Sequence, residues 1–147
     1  MDKKLPDHHF LDLFSSMPEA LIFADAAGMI RTWNHGATTL FGFTETEAVG
    51  QCLDIIIPEM LREAHWKGYH QALARGATAH CGRSRITKAL HKEGQALYVD
   101  MSFAVVKDAQ GETTGAMAVA RDATQRYLEE KEMRRLLAAM PQKTPEK

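Results

Sequence analysis

The chain has 147 residues, 45% of them hydrophobic and 25% charged. That length suits one domain with a real core, and the composition excludes a disordered or collagen-like chain. Eighteen Lys and Arg stand against nineteen Asp and Glu, a formal net charge of −1, so no general field draws nucleic acid or anionic lipid and neither is expected as a partner.

Residues 8–16, HHFLDLFSS, place Phe10, Leu11, Leu13 and Phe14 on a helical stripe ahead of Pro18, which predicts a short leading helix. Two β-prone runs follow, 20–24 and 29–33. They are joined by Asp25-Ala26-Ala27-Gly28, a turn in which Gly28 supplies a positive φ, so a hairpin is expected. HGATTLFGF is a short helical segment, and Thr44-Glu45-Thr46-Glu47 has capping-box spacing, with Gly50 closing the brief helix. Pro58 suits the first position of a helix and Gly76 the position just past its end, so the strongest helix runs over 58–75.

Strands are then expected over roughly 79–90, 95–106 and 113–121, linked by Lys92-Glu93-Gly94 and by Lys107-Asp108-Ala109-Gln110-Gly111. A charged helix over 124–140 carries Met133, Leu136, Leu137 and Met140 on one stripe; Pro141 stops it before a polar tail. The fold expected is α+β, a five-stranded antiparallel sheet with helices over one face, divided as 1–18 leading helix, 19–122 domain and 123–147 final helix and tail. The stripe of the last helix is too short for a coiled coil by heptad count and suits packing on the domain or on a second copy, a homodimer.

The longest apolar runs, ALIFA and LDIII, are far too short to span a bilayer, and Cys52 and Cys81 lack CxxC spacing. No membrane association is expected, and free thiols suit a reducing, cytoplasmic setting. No Ser-His-Asp order, phosphate loop or carboxylate pair stands out, so no catalytic activity is predicted.

This order of elements resembles a PAS domain. DAAGMIRTWNHGATTLFGFTETEAVG is similar to the family's opening, with Asn34, Leu40-Phe41-Gly42-Phe43, Glu47 and Gly50 at the expected places. HKEGQALYVDMSFAVVKDAQGETTGAMAVARDATQR is similar to its last three strands and closes on Arg121-Asp122-Ala123-Thr124. Such a fold holds haem, flavin, small metabolites or nothing, so the site must decide.

Within the family, the haem-binding oxygen sensors of the FixL type carry a proximal histidine on the long helix and an arginine twenty residues later on the next strand. His65 and Arg85 have that separation without a gap. GQCLDIIIPEMLREAH and GRSRI resemble the same sensors, with two departures. Cys52 stands where they often have Asn, and Arg83 stands where their distal pocket is usually apolar, or carries Met in a related haem PAS phosphodiesterase. The resemblance implies b-type haem, with His65 on the iron and Arg85, helped by Arg83, meeting a diatomic gas or a haem propionate. Oxygen is the first choice, with carbon monoxide, nitric oxide and redox sensing open, and the output is a partner or domain such as a histidine kinase.

Helical phase agrees with a single histidine ligand. His65 shares a face with Leu61, Tyr69 and Ala72, whereas His70 lies about 140° around the helix, so the two do not readily meet one iron. Tyr69 is placed to contact a ring or propionate, and strand alternation would set Cys81, Arg83, Arg85 and Thr87 on one face. The bland alternatives are a half-buried helix histidine in a cofactor-free PAS module for dimerisation or metabolite binding, and a solvated arginine pair on an edge strand.

A flavin redox sensor is the third reading. Cys52, however, lacks the Gly-x-Asn-Cys-Arg-x-x-Gln setting of light-sensing PAS domains and is expected to be a buried, inert thiol. Trp33 and Trp66 are expected to pack. His8, His9, His35, His80 and His91 are expected to be solvated or structural, with His80 a weak candidate for the haem edge.

Overall fold

Two hydrophobic periodicities, alternating in the strands and helical between them, are realised in a computed structural model that describes residues 6–79 and 82–142. His80, Cys81 and most of the polar tail lie outside the described residues, and so do the expectations that fall on them.

The elements in chain order are α1 (Asp7–Ser16), β1 (Ala20–Asp25), β2 (Ile30–Trp33), α2 (His35–Phe41), α3 (Glu45–Ala48), a 3-10 turn (Leu53–Ile56), α4 (Glu59–Arg75), β3 (Arg85–Leu90), β4 (Ala96–Lys107), β5 (Thr113–Asp122) and α5 (Thr124–Ala139). The strands form one antiparallel sheet in the order β2-β1-β5-β4-β3, so the hairpin joins the meander through β1 and β5. The expected five-stranded sheet is therefore present.

Directly opposed residues of an antiparallel pair share a face. Ala20, Ile22 and Ala24 of β1 stand opposite Ala120, Ala118 and Ala116 of β5. Those alanines stand opposite Met101, Phe103 and Val105 of β4, and Met101 and Val99 stand opposite Arg85 and Thr87 of β3. This is the helix side, because its buried members join Trp33, Phe41 and Ile56 in one apolar core.

The front of the domain is tightly determined. Asn34 caps α2 by accepting from Ala37 N at 3.0 Å, accepts from Leu21 N at 2.8 Å, and donates to the carbonyls of Glu19 and Phe14 at 3.0 and 3.2 Å. One side chain thereby ties α1, β1 and α2 together. The Trp33 indole donates to Thr38 Oγ1 and to Phe43 O, both at 3.1 Å. The capping box forms as expected, Glu47 N to Thr44 Oγ1 and Thr44 N to Glu47 Oε2.

Several boundaries differ from expectation. The strand expected over 79–90 begins only at Arg85, because Gly82 takes φ +75° and interrupts extended backbone. Arg83 therefore precedes the strand, and pleat alternation does not fix its face. Pro58 is the N-cap of α4 rather than its first residue, and α3 ends at Ala48 with Val49 as its cap, one residue before Gly50. The apolar stripes of the flanking helices are exposed, Phe10, Leu11 and Leu13 on α1 and Leu128, Met133, Leu136, Leu137 and Met140 on α5.

Candidate cofactor site on helix α4

Helix α4 turns Leu61, His65, Trp66, Tyr69, Ala72 and Leu73 toward the sheet, a helical stripe whose members are all half-buried. None of its residues is fully buried. Polar contacts fix the start of the helix. Arg62 donates through Nε to Ile57 O at 3.0 Å and through Nη2 to Asp54 O at 3.2 Å. One turn on, the Trp66 indole donates to Asp54 Oδ1 at 2.8 Å.

Tyr69 donates to Asp25 O at 2.6 Å and lies 3.2 Å from Ala24 O. Burial first, and the Asp25 carboxylate second, push its phenol up to about 12. Its hydroxyl is thus committed to the β1 turn, and what Tyr69 offers a ligand is the ring.

His65 sits inside this aromatic group. Its ring centroid is 4.8 Å from that of Trp66 in an edge-to-face arrangement and 5.8 Å from that of Tyr69. Its Nδ1 is buried and has no hydrogen-bond partner among the described residues. Burial pulls its pKa below the usual histidine value, Asp54 opposes that shift, and His70 adds to it. Burial thus favours the neutral imidazole, the form that binds a metal. His70 is exposed at the rim, as its helical phase implied, with its ring 6.0 Å from those of Trp66 and Tyr69.

His65 and Tyr69 are thus in ring contact. Arg85 opens the edge strand β3 on the helix side, opposite Met101, and Arg83 is exposed just before it. On the same face of the sheet Phe103 is 43% exposed, although its cross-strand neighbour Ala118 packs against the core. The helix-side face is covered at β1 and at Val99, Met101 and Ala89, and is open at Phe103 and Arg85. Two hollows lie elsewhere. One, of about 320 Å³, is bounded by Pro18, Gly36, Leu40 and Arg121, and the other, of about 210 Å³, by Ser84, Asp100, Ser102 and Arg121 on the opposite face.

Cys52 is half-buried and pairs through its backbone with Met29. Trp33 is core, His8 and His35 are exposed, and His91 Nδ1 accepts from Glu93 N. Among the described residues no group of three or more His, Cys, Asp and Glu gathers as a metal cluster. Sequence reasoning missed Asp54 and Arg62, which fix the setting of α4. No motif marks them, because the partners of Arg62 are mostly backbone carbonyls and Asp54 lies in a 3-10 turn.

The family model described as the PAS fold matches residues 14–128. The chain belongs to the PAS fold family. The PAS domain is 37% identical over 57 residues to the sensor protein FixL of Bradyrhizobium diazoefficiens, a match covering 39% of this chain and 11% of that protein. This chain therefore spans only a small part of that curated relative.

Among solved structures, a PAS domain from Colwellia psychrerythraea superposes with a TM-score of 0.71 at 22% identity, covering 81% of this chain and 98% of that one. An RNA-binding light-oxygen-voltage receptor superposes with a TM-score of 0.73 at 16% identity, covering 94% of this chain and 40% of that one. These likenesses show the PAS fold. PAS domains are in general sensory and signalling modules. No helix among the described residues is long and apolar enough to cross a membrane.

Proposed function

We propose that this PAS domain senses a diatomic gas, oxygen first, or redox state, through one b-type haem whose proximal ligand is His65. The observation that carries the reading is the buried Nδ1 of His65 on α4, which has no hydrogen-bond partner among the described residues. Buried polar groups are ordinarily paired, and an exception invites a functional account. The partial likeness to the FixL sensor supports the same choice.

The donor set fits the group. His65 offers a neutral nitrogen, Trp66 and Tyr69 wall its ring and keep water from it, and Phe103 presents apolar surface on the facing sheet. Bound haem would supply an iron able to take up a diatomic gas. Arg85, on the helix-side face of β3, brings a charged donor that favours a polar ligand over an apolar one, or that holds a carboxylate. Arg83 sits beside that strand as a second guanidinium.

Strand β4 opposes Arg85 at Met101 and meets the start of α5 where Tyr98 stacks on Tyr127 at 3.7 Å. A change at the site thus has a short path to the final helix, and from there to a partner or an output domain such as a histidine kinase. On this reading the domain occupies 19–122 and the flanking segments 1–18 and 123–147 relay. The exposed apolar residues of α1 and α5 form a homodimer contact, and the setting is cytoplasmic.

The visible spectrum of the purified, haem-supplemented protein tests the reading. A Soret band at ~400–430 nm supports it; a flavin band near ~450 nm or no chromophore at all sinks it. Arg85→Ala is expected to speed oxygen dissociation by about tenfold and carbon monoxide dissociation much less, because the lost donor matters most to the polar ligand. Equal effects on both gases would assign Arg85 to a carboxylate or to packing.

A further inference from the structure

We infer that Asp54, acting through Trp66, is a positioning residue for His65, so that the 3-10 turn before α4 determines where the imidazole stands. The inference rests on the haem reading only for its consequence at the iron.

Trp66 has no freedom to choose another place. Its indole N–H is held by Asp54 Oδ1 at 2.8 Å. Its six-membered ring fills the space above Gly28, where a Cβ would lie 2.1 Å from Cη2 and 2.3 Å from Cζ3. The edge of the same indole meets the His65 ring at 4.8 Å, with the planes at 80°. It also meets Tyr69 at 5.3 Å and 74°, and Tyr69 is itself fixed to the carbonyls of Ala24 and Asp25. His65 Nδ1 has no hydrogen-bond partner among the described residues, and these two rings set its orientation.

Asp54 is held in turn. Arg62 donates to its carbonyl, and the guanidinium lies 3.9 Å from its carboxylate. The 3-10 turn is therefore tied to α4 twice, by backbone through Arg62 and by side chain through Trp66.

Asp54→Asn keeps an oxygen acceptor for the indole and removes the charge, whereas Asp54→Ala removes both. In the cofactor-free protein, NMR of Asp54→Ala should show about tenfold faster exchange of the Trp66 indole N–H and displaced His65 ring resonances. Asp54→Asn should leave both near wild type. The Trp33 indole, bonded to Thr38 and Phe43, is the internal control and should not change.

In the haem-supplemented protein, Asp54→Ala should split the ferric EPR signal into more than one species. Asp54→Asn, which keeps an acceptor for the indole, should keep one species. Unchanged indole exchange and unchanged His65 resonances in Asp54→Ala would overturn the inference. Should that variant fail to fold, Asp54→Leu decides, since it removes the acceptor of the Trp66 N–H while keeping the indole against His65; constancy of the His65 resonances there would overturn the inference. If wild type takes up no haem, the haem reading fails, while the NMR comparison still decides the positioning role.

Discussion

Asn34 and His65 are polar side chains set among aromatic and aliphatic neighbours, and the domain treats them in opposite ways. Asn34, 3% exposed, has its carbonyl and amide both paired with backbone groups of α1, β1 and α2 and their connections. His65 has aromatic rings on two sides and a buried Nδ1 with no described partner. Around Asn34 the core is closed, with Trp33, Phe41 and Ile30 fully buried. Around His65 the helix has no fully buried residue. A satisfied polar group serves the fold; an unsatisfied one placed where packing thins has something left to bind.

Removing the polar side chain itself should therefore act with opposite sign at Asn34 and at His65. Asn34→Ala leaves the Leu21 N–H without its acceptor and α2 without its cap, and should lower stability by about 3 kcal/mol, roughly 10 °C in Tm by circular dichroism. A loss well under 1 kcal/mol would show that Asn34 is not the organising group of the front. Gly28→Ala comes next, because its φ of +79° disfavours a side chain and the new methyl would enter the Trp66 ring. About 2 kcal/mol should be lost, with a shift in Trp emission.

His65→Leu runs the other way. Replacing an unpaired buried nitrogen by an apolar side chain should raise the stability of the cofactor-free protein by about 1 kcal/mol in urea unfolding, while removing the proposed ligand. If His65→Leu instead destabilises the cofactor-free protein, its nitrogen is satisfied and the contrast with Asn34 disappears.

The smallest effect is a pH dependence. Burial lowers the folded pKa of His65, so below 6.5 the unfolded chain takes the proton more readily. The stability present above that pH is lost as pH falls through 6.5 toward the folded value, and His65→Leu should remove this component. Asp25 is also depressed, by the Met29 N–H first and then by Arg31, but from 3.8. Its contribution is lost only at more acid pH, which keeps the two windows apart in a stability series.

Much of the fold was legible because its signals are local. Alternation in β1, the Asp25–Gly28 turn, the Thr44 capping box and the Gly76 helix end all depend on near neighbours in sequence. The start of β3 was misplaced because one positive φ at Gly82 outweighs a β-prone run. At the site, His65 and its phase relative to His70 could be read from helical spacing. Its surroundings could not, since the bonds of Trp66 to Asp54 and of Tyr69 to the β1 turn join residues 12 and 44 apart. Tyr69 was expected to contact a ring or a propionate; that its hydroxyl is already bonded to the β1 turn only the tertiary placement of Asp25 O reveals.

Axial ligation by His65 is tested most directly by the ferrous spectrum of haem-supplemented His65→Ala beside wild type. The account predicts loss of the wild-type Soret intensity and ferrous spectrum, with recovery when free imidazole is added to refill the vacated position. A variant that keeps the wild-type Soret band and ferrous spectrum would contradict it.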